Sequence, residues 1–209
     1  MGRTRIKICG VREAETAWAA AEAGADAIGL VFVRSSPRYI EPEHAAQIML
    51  GLPPFLSTVG LFMNPSLDHF CDVEEICPTT LVQFHGSEDE GLVRRCGPGL
   101  IKAVRFDAGS IAAELARWDA VEEVDAILVD GGSGGEGVAF EWERLAELAS
   151  TLSKPLILAG GLTPENVGRA IRTVRPWAVD VSSGVEKARG VKDAGLIEDF
   201  CRAVREADG

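Results

Sequence analysis

Arg5-Ile-Lys-Ile-Cys-Gly-Val-Arg12 is the stretch on which the fold turns. Arg5 to Ile8 reads as a strand, and the residues after it, Cys9-Gly-Val-Arg, lack the G-x-G-x-x-G turn that marks the first strand of an open dinucleotide-binding sheet. Working outward, further β-rich apolar runs lie at Ala27 to Phe32, Ser57 to Phe62, Leu81 to Phe84, Leu100 to Val104, Ala126 to Val129, Pro155 to Ala159 and Ala178 to Val181. Ala/Leu/Glu/Arg-rich segments alternate with them: Glu13 to Ala23, Pro42 to Leu50, Ser66 to Ile76, Asp89 to Cys96, Ser110 to Val121, Phe140 to Ser150, Pro164 to Thr173 and Asp193 to Glu206. Each strand has a helix after it, at about 26 residues per unit, close to the minimum for a (β/α)8 TIM barrel and too regular for most doubly wound sheets. The pattern predicts an α/β chain folded as a single (β/α)8 barrel over residues 1–209, with no linker or low-complexity tract to divide it. Thr163 before Pro164 reads as the N-cap and first position of the seventh helix, and Gly24 after Ala23 as a helix C-cap.

Composition narrows the function. Hydrophobic residues make up 46% and charged residues 25%, the balance of a folded domain. A net charge of −11 repels a phosphate backbone or an anionic membrane, so neither nucleic acid nor membrane is expected as a partner. A small phosphate ester stays open, because one Arg or a ring of backbone N–H groups can hold it on an acidic protein. Cys9, Cys71, Cys77, Cys96 and Cys201 show neither C-x-x-C pairs nor zinc spacing with the three histidines, so no structural metal is expected. Their odd number suits a reducing compartment. With no signal-like apolar start and no run of about 18 apolar residues, the cytoplasm is the expected location. Any outer helix could carry an interface, which leaves monomer or homodimer.

In a barrel the chemistry sits where the strands end. Those ends carry Lys7 and Cys9, then Arg38, then Gln83 and His85, then Asp130, then Gly160 and Gly161, and finally Asp180 with Ser182, Ser183 and Gly184. Loops after the seventh and eighth strands commonly hold a substrate phosphate, which makes Gly160, Gly161, Ser183 and Gly184 the phosphate-binding candidates. The plainer reading is that these glycines only permit tight turns.

Cys9, beside Lys7, is either a small buried hydrophobe or a general base. The second role asks its pKa to fall from about 8.5 through nearby positive charge or hydrogen-bond donors. Asp130, ending Ala-Ile-Leu-Val, is either a cap or an acid facing Cys9 across the barrel mouth, a pair suited to proton transfers on either side of a bound sugar. Arg38, stiffened by Pro37, offers a planar fork to a carboxylate or is a surface Arg. His85 is an acid, a base, a donor to substrate or a structural hydrogen bond at the rim. Lys7, Arg38, His85 and Asp180 are the substrate-binding candidates.

Seven segments, taken in chain order, resemble the phosphoribosylanthranilate isomerase family over nearly the whole chain. They are Lys7-Ile-Cys-Gly, Gly24-Ala-Asp-Ala-Ile-Gly, Ser36-Pro-Arg-Tyr-Ile, Val59-Gly-Leu-Phe-Met-Asn, Gln83-Phe-His-Gly, Leu158-Ala-Gly-Gly-Leu with Pro164-Glu-Asn-Val, and Asp180-Val-Ser-Ser-Gly-Val-Glu. The resemblance implies an Amadori rearrangement of an aminated ribose phosphate in the tryptophan pathway. It implies Cys9 as general base, Asp130 as general acid, Arg38 as partner of the anthranilate, and phosphate loops at Gly160, Gly161, Ser183 and Gly184. It implies no cofactor, because the substrate's own protonated nitrogen serves as electron sink.

Two positions depart from the family pattern. Gly134-Gly-Glu-Gly before Val138-Ala-Phe-Glu-Trp replaces the usual Gly-Gly-Thr-Gly and Phe-Asp-Trp, so that Glu136 would repel an anionic substrate if it pointed inward. Thr16 stands where an acidic residue is frequent, on a helix away from the mouth. Two competing readings keep the barrel: a related isomerase of aminoimidazole ribotides, which works with two aspartates, and a phosphate-binding barrel without catalysis. Cys9 against Asp130 disfavours the first, and the presence of Cys9, Asp130 and Arg38 together disfavours the second.

Overall fold

The structure is a computed structural model that describes residues 2–131 and 141–209. Eight strands, β1 (Arg5–Cys9), β2 (Ala27–Val31), β3 (Ser57–Phe62), β4 (Leu81–Phe84), β5 (Leu100–Arg105), β6 (Val124–Asp130), β7 (Leu156–Ala159) and β8 (Ala178–Val181), form a closed barrel in chain order. All neighbours are parallel, and β8 closes on β1 with Lys7 opposite Asp180. The helices are α1 (Ala14–Glu22), α2 (Pro42–Leu50), α3 (Leu67–Ile76), α4 (Glu90–Cys96), α5 (Ile111–Asp119), α6 (Trp142–Ala149), α7 (Val167–Val174) and α8 (Ala194–Asp208). The chain is thus the (β/α)8 barrel that the alternation predicts.

Helix ends follow local chemistry. Ser66, Asp89 and Asp193 sit one residue outside their helices as N-caps, accepting from the backbone N–H groups of His69, Leu92 and Leu196. Gly24 follows the Ala23 C-cap as expected. The reading of Thr163 and Pro164 as cap and first helical position does not hold: residues 164–166 form a turn and α7 begins at Val167. The Asn166 side chain holds that turn, accepting from the Thr163 N–H at 2.8 Å and donating to the Gly161 carbonyl at 2.8 Å. Phe140, predicted to start the sixth helix, and Glu136 with its loop lie outside the described residues.

Alternation of period two sorts each strand between two cores. Ile6, Ile8, Val82, Phe84, Ile127, Val129, Leu156, Leu158, Val179 and Val181 face the helices in one cluster. Each such side chain contributes about 1.5–3 kcal/mol on burial. Val59, Ile101, Ala103, Ala126, Leu128, Ile157, Ala159 and Ala178 fill the barrel interior. The inward positions above that apolar floor are Lys7, Cys9, Gln83, Asp130 and Asp180.

One feature is absent from the apolar pattern. After β8 a 3-10 turn at Ser183–Val185 leads into an antiparallel hairpin of β9 (Glu186–Ala188) and β10 (Val191–Lys192). Its residues, Glu-Lys-Ala-Arg-Gly-Val-Lys, are too charged and too few to read as strands. At the opposite end of the barrel Asp208 accepts from both the N–H and the hydroxyl of Thr4 at 2.7 Å, fastening α8 to β1. No helix among the described residues is long and apolar enough to cross a membrane.

Candidate active site

A cavity of about 910 Å³ opens at the C-terminal ends of the strands. It is lined by Cys9, Arg38, His85, Asp130, Asp180 and the loops carrying Gly160, Gly161, Ser183 and Gly184, so the expected site residues meet in one place. Lys7 alone among them stays out of the lining: at 4% exposure it lies beneath the cavity rather than at its surface.

From Lys7 a chain of polar contacts crosses the mouth. Its Nζ donates to Asp180 Oδ1 at 2.9 Å and to Gln83 Oε1 at 2.8 Å. Gln83 Nε2 lies 3.0 Å from His85 Nδ1, and His85 Nε2 lies 3.2 Å from Asp130 Oδ2. Burial disfavours the Lys7 ammonium, but the negative charges of Asp180 and Cys9 outweigh it and raise its pKa.

Cys9 departs from expectation in one respect. Burial pushes its thiol pKa up, and the opposing pull of Lys7 and Lys192 does not overcome this, with Asp180 adding to the rise. The low pKa that a resting thiolate would need is therefore absent from this geometry. The reason is that Cys9, 5% exposed, has been taken out of water while the nearest cations are already paired with carboxylates.

Arg38 does not reach the cavity alone. Its Nε and Nη2 donate to the two oxygens of Glu186 at 2.7 and 2.9 Å, in the two-pronged geometry that suits guanidinium and carboxylate. Glu186 also accepts from Lys192 Nζ at 2.8 Å and from the Gly190 N–H at 3.0 Å. Burial works against this carboxylate, but Arg38, Lys192 and Gly190 hold its pKa down at about 2. Two cations and one anion leave a unit positive charge in the cluster, on a protein whose net charge is −11. Lys192 in turn donates to the Ser182 carbonyl at 2.9 Å, and Ser182 Oγ donates to the Cys9 carbonyl at 3.1 Å, joining the hairpin to β1.

The two glycine-rich loops press backbone against backbone. A Cβ on Gly160 would lie 2.2 Å from the Gly131 nitrogen, and one on Gly184 would lie 1.9 Å from the Leu162 carbonyl oxygen. Glycine is required at both positions for packing alone, and the same bareness leaves the loops open to a phosphate. Among the described residues no group of three or more His, Cys, Asp or Glu could hold a metal ion.

Sequence reasoning assigned no role to Gln83, Glu186 or Lys192. Gln83 and Glu186 stand inside motifs quoted above, and the inward parity of Gln83 with Lys7 was a usable signal. Nothing local marks Lys192.

Fold and cavity define an enzyme-type (β/α)8 barrel with its chemistry at the C-terminal ends of the strands. A family model described as N-(5'phosphoribosyl)anthranilate (PRA) isomerase matches residues 6–203, and the chain belongs to that family. It is 48% identical to an N-(5'-phosphoribosyl)anthranilate isomerase of Pseudomonas putida (strain W619), over 99% of this chain and 100% of that one. A phosphoribosyl anthranilate isomerase solved in complex with reduced 1-(o-carboxyphenylamino)-1-deoxyribulose 5-phosphate superposes with a TM-score of 0.85 at 38% identity, covering 97% of this chain and 99% of that one. Monomers generated from the dimeric enzyme of Thermotoga maritima superpose at 0.84 and 36% identity, with the same coverage.

Proposed function

We propose that the chain, as one catalytic barrel over residues 1–209, converts N-(5-phosphoribosyl)anthranilate to 1-(2-carboxyphenylamino)-1-deoxyribulose 5-phosphate in L-tryptophan biosynthesis. The observation that carries this reading is the meeting of Cys9 and Asp130 in one cavity, between the two glycine-rich loops and Arg38. The loops at Gly160, Gly161, Ser183 and Gly184 take the phosphate, and Arg38 takes the anthranilate carboxylate.

Asp130 protonates the furanose ring oxygen as the bond from that oxygen to C1 breaks, giving a protonated imine. Cys9 then removes the C2 proton, and the electron pair moves toward the imine nitrogen to form an enolamine. Protonation at C1 and loss of the C2 hydroxyl proton give the aminoketose. The working pair is a carboxylic acid and a thiolate, and burial keeps the Cys9 proton on sulfur before substrate arrives. Lys7 and Lys192 favour the thiolate, and the cationic imine favours it further at the moment the base is needed. Lys7 serves this site from below, paired beside the thiol with Asp180 of the cavity wall.

The enzyme acts in the cytoplasm as a monomer or homodimer, without cofactor; sedimentation separates the two states. The functional test is loss of anthranilate-type fluorescence when freshly generated substrate is mixed with the protein. Cys9→Ala and Asp130→Asn are expected to lower turnover by about 10²–10⁴ while the fold survives. No decay above the spontaneous background from folded wild type would overturn the reading.

A further inference from the structure

The contacts between Lys7 and Asp130 admit one assignment of hydrogens. An ammonium can only donate, so the Gln83 atom 2.8 Å from Lys7 Nζ is the amide oxygen. The other end of that amide is then the NH₂ group, which donates, and His85 Nδ1 at 3.0 Å must accept. A ring nitrogen that accepts carries no proton, so the neutral imidazole holds its proton on Nε2, the nitrogen that lies 3.2 Å from Asp130 Oδ2. Gln83 is fully buried and His85 and Asp130 are about 30% exposed, so one end of the chain lies inside the barrel and the other at the cavity.

We propose that Gln83 is a positioning residue: it reads the charge of Lys7 and fixes the tautomer of His85, so that Asp130 always faces an N–H and never a ring lone pair. This rests on Asp130 being the acid of the reaction. The consequence is chemical. A lone pair on Nε2 would accept the proton that Asp130 must deliver to the ring oxygen, whereas an N–H donor steadies the carboxyl group and cannot take that proton. A wrong tautomer is an established way to lose turnover with the site otherwise intact.

The experiment is ¹⁵N NMR of the three imidazoles in wild type, with the His85 signals assigned by their loss in His85→Asn. Wild type is expected to show His85 protonated at Nε2 alone at neutral pH. In Gln83→Glu, which keeps the shape and still accepts from Lys7, the amide donor is gone and Nδ1 should carry a proton. In Gln83→Met the Nε2–H form should no longer be held. Both variants should lose about tenfold in kcat, the rate equivalent of one charge-assisted hydrogen bond, with KM little changed. His85 protonated at Nδ1 in wild type, or an unchanged tautomer in Gln83→Glu, overturns the role of Gln83 whatever the activity. Wild type with the expected tautomer but no isomerase turnover overturns the functional reading instead. If Gln83→Met fails to fold, the nearly isosteric Gln83→Glu still decides.

Discussion

Lys7 and Lys102 are both buried, and each ends on a carboxylate, 2.9 Å from Asp180 in one case and 2.8 Å from Glu88 in the other. Their surroundings differ. Lys102 points out of the barrel, where it also donates to the carbonyls of Gly86 and Ala103 and lies 5.4 Å from the Trp118 ring. Glu88 accepts from the N–H groups of Asn64 and Gly86, so the pair closes on itself and ties β5 to the loop after β4. Lys7 points inward and spends its second bond on a side chain, Gln83, that leads on to His85 and Asp130. Burial pulls both ammonium groups down; Asp180 and Cys9 reverse this for Lys7, while Lys102 remains lowered despite Glu88. Two ion pairs of nearly equal length thus differ in use because of what their remaining atoms touch.

The largest effect that can break this contrast comes from removing both partners of each pair. Lys7→Met/Asp180→Asn and Lys102→Met/Glu88→Gln should each melt closer to wild type than the matching single lysine variants, which strand a buried carboxylate at a cost of about 3–5 kcal/mol. Turnover should be low, by about 10² or more, only for the Lys7 double variant, because only that pair serves the acid and the thiol. Equal losses in both double variants, measured as kcat in folded protein, would erase the distinction.

A smaller effect separates Glu186 from both pairs. Glu186→Gln should raise KM by about tenfold with less change in kcat, since it loosens Arg38 and not the proton-transfer groups. A kcat loss at constant KM would place Glu186 elsewhere. The pH dependence of stability provides an independent reading. Glu186 has a folded pKa of about 2, below its unfolded value of about 4.3. It contributes stability that is full above the unfolded value and is lost as pH falls from there through about 2. Melting temperature against pH should therefore be flatter across that window in Glu186→Gln, and an unchanged slope would deny the carboxylate its ion pairs.

The smallest effect sets the scale for these melts. Arg175, exposed at the end of α7, has φ of 52°, in the left-handed region. Arg175→Gly should stabilise by about 1 kcal/mol without touching either pair, read as a higher melting temperature at unchanged kcat. A lower melting temperature would mean that the arginine side chain outweighs its backbone strain.

Much of this was legible beforehand for a local reason. Hydrophobic alternation is a property of a few consecutive residues, so the strands at Ser57–Phe62, Leu81–Phe84 and Ala178–Val181 match their predicted bounds. The hairpin of β9 and β10 was not legible, because what holds it is charge pairing across the fold rather than apolar pattern. Thr163 misled for a related reason: the Asn166 side chain turns back on it and delays α7.

By itself the sequence determined the alternation of eight strands and helices. Through the period of two it also determined that Lys7 and Cys9 share a face, as do Ala126, Leu128 and Asp130, and Ala178 and Asp180. Only the tertiary structure decided which of those groups are charged and what they hold. Arg38 and Glu186 are 148 residues apart and Lys7 and Asp180 are 173 apart, and their pairing exists only once β8 has closed on β1. Coulomb energy and desolvation depend on distance and burial in space, so the raised thiol of Cys9 and the tautomer of His85 belong to the closed barrel and to no segment of the chain.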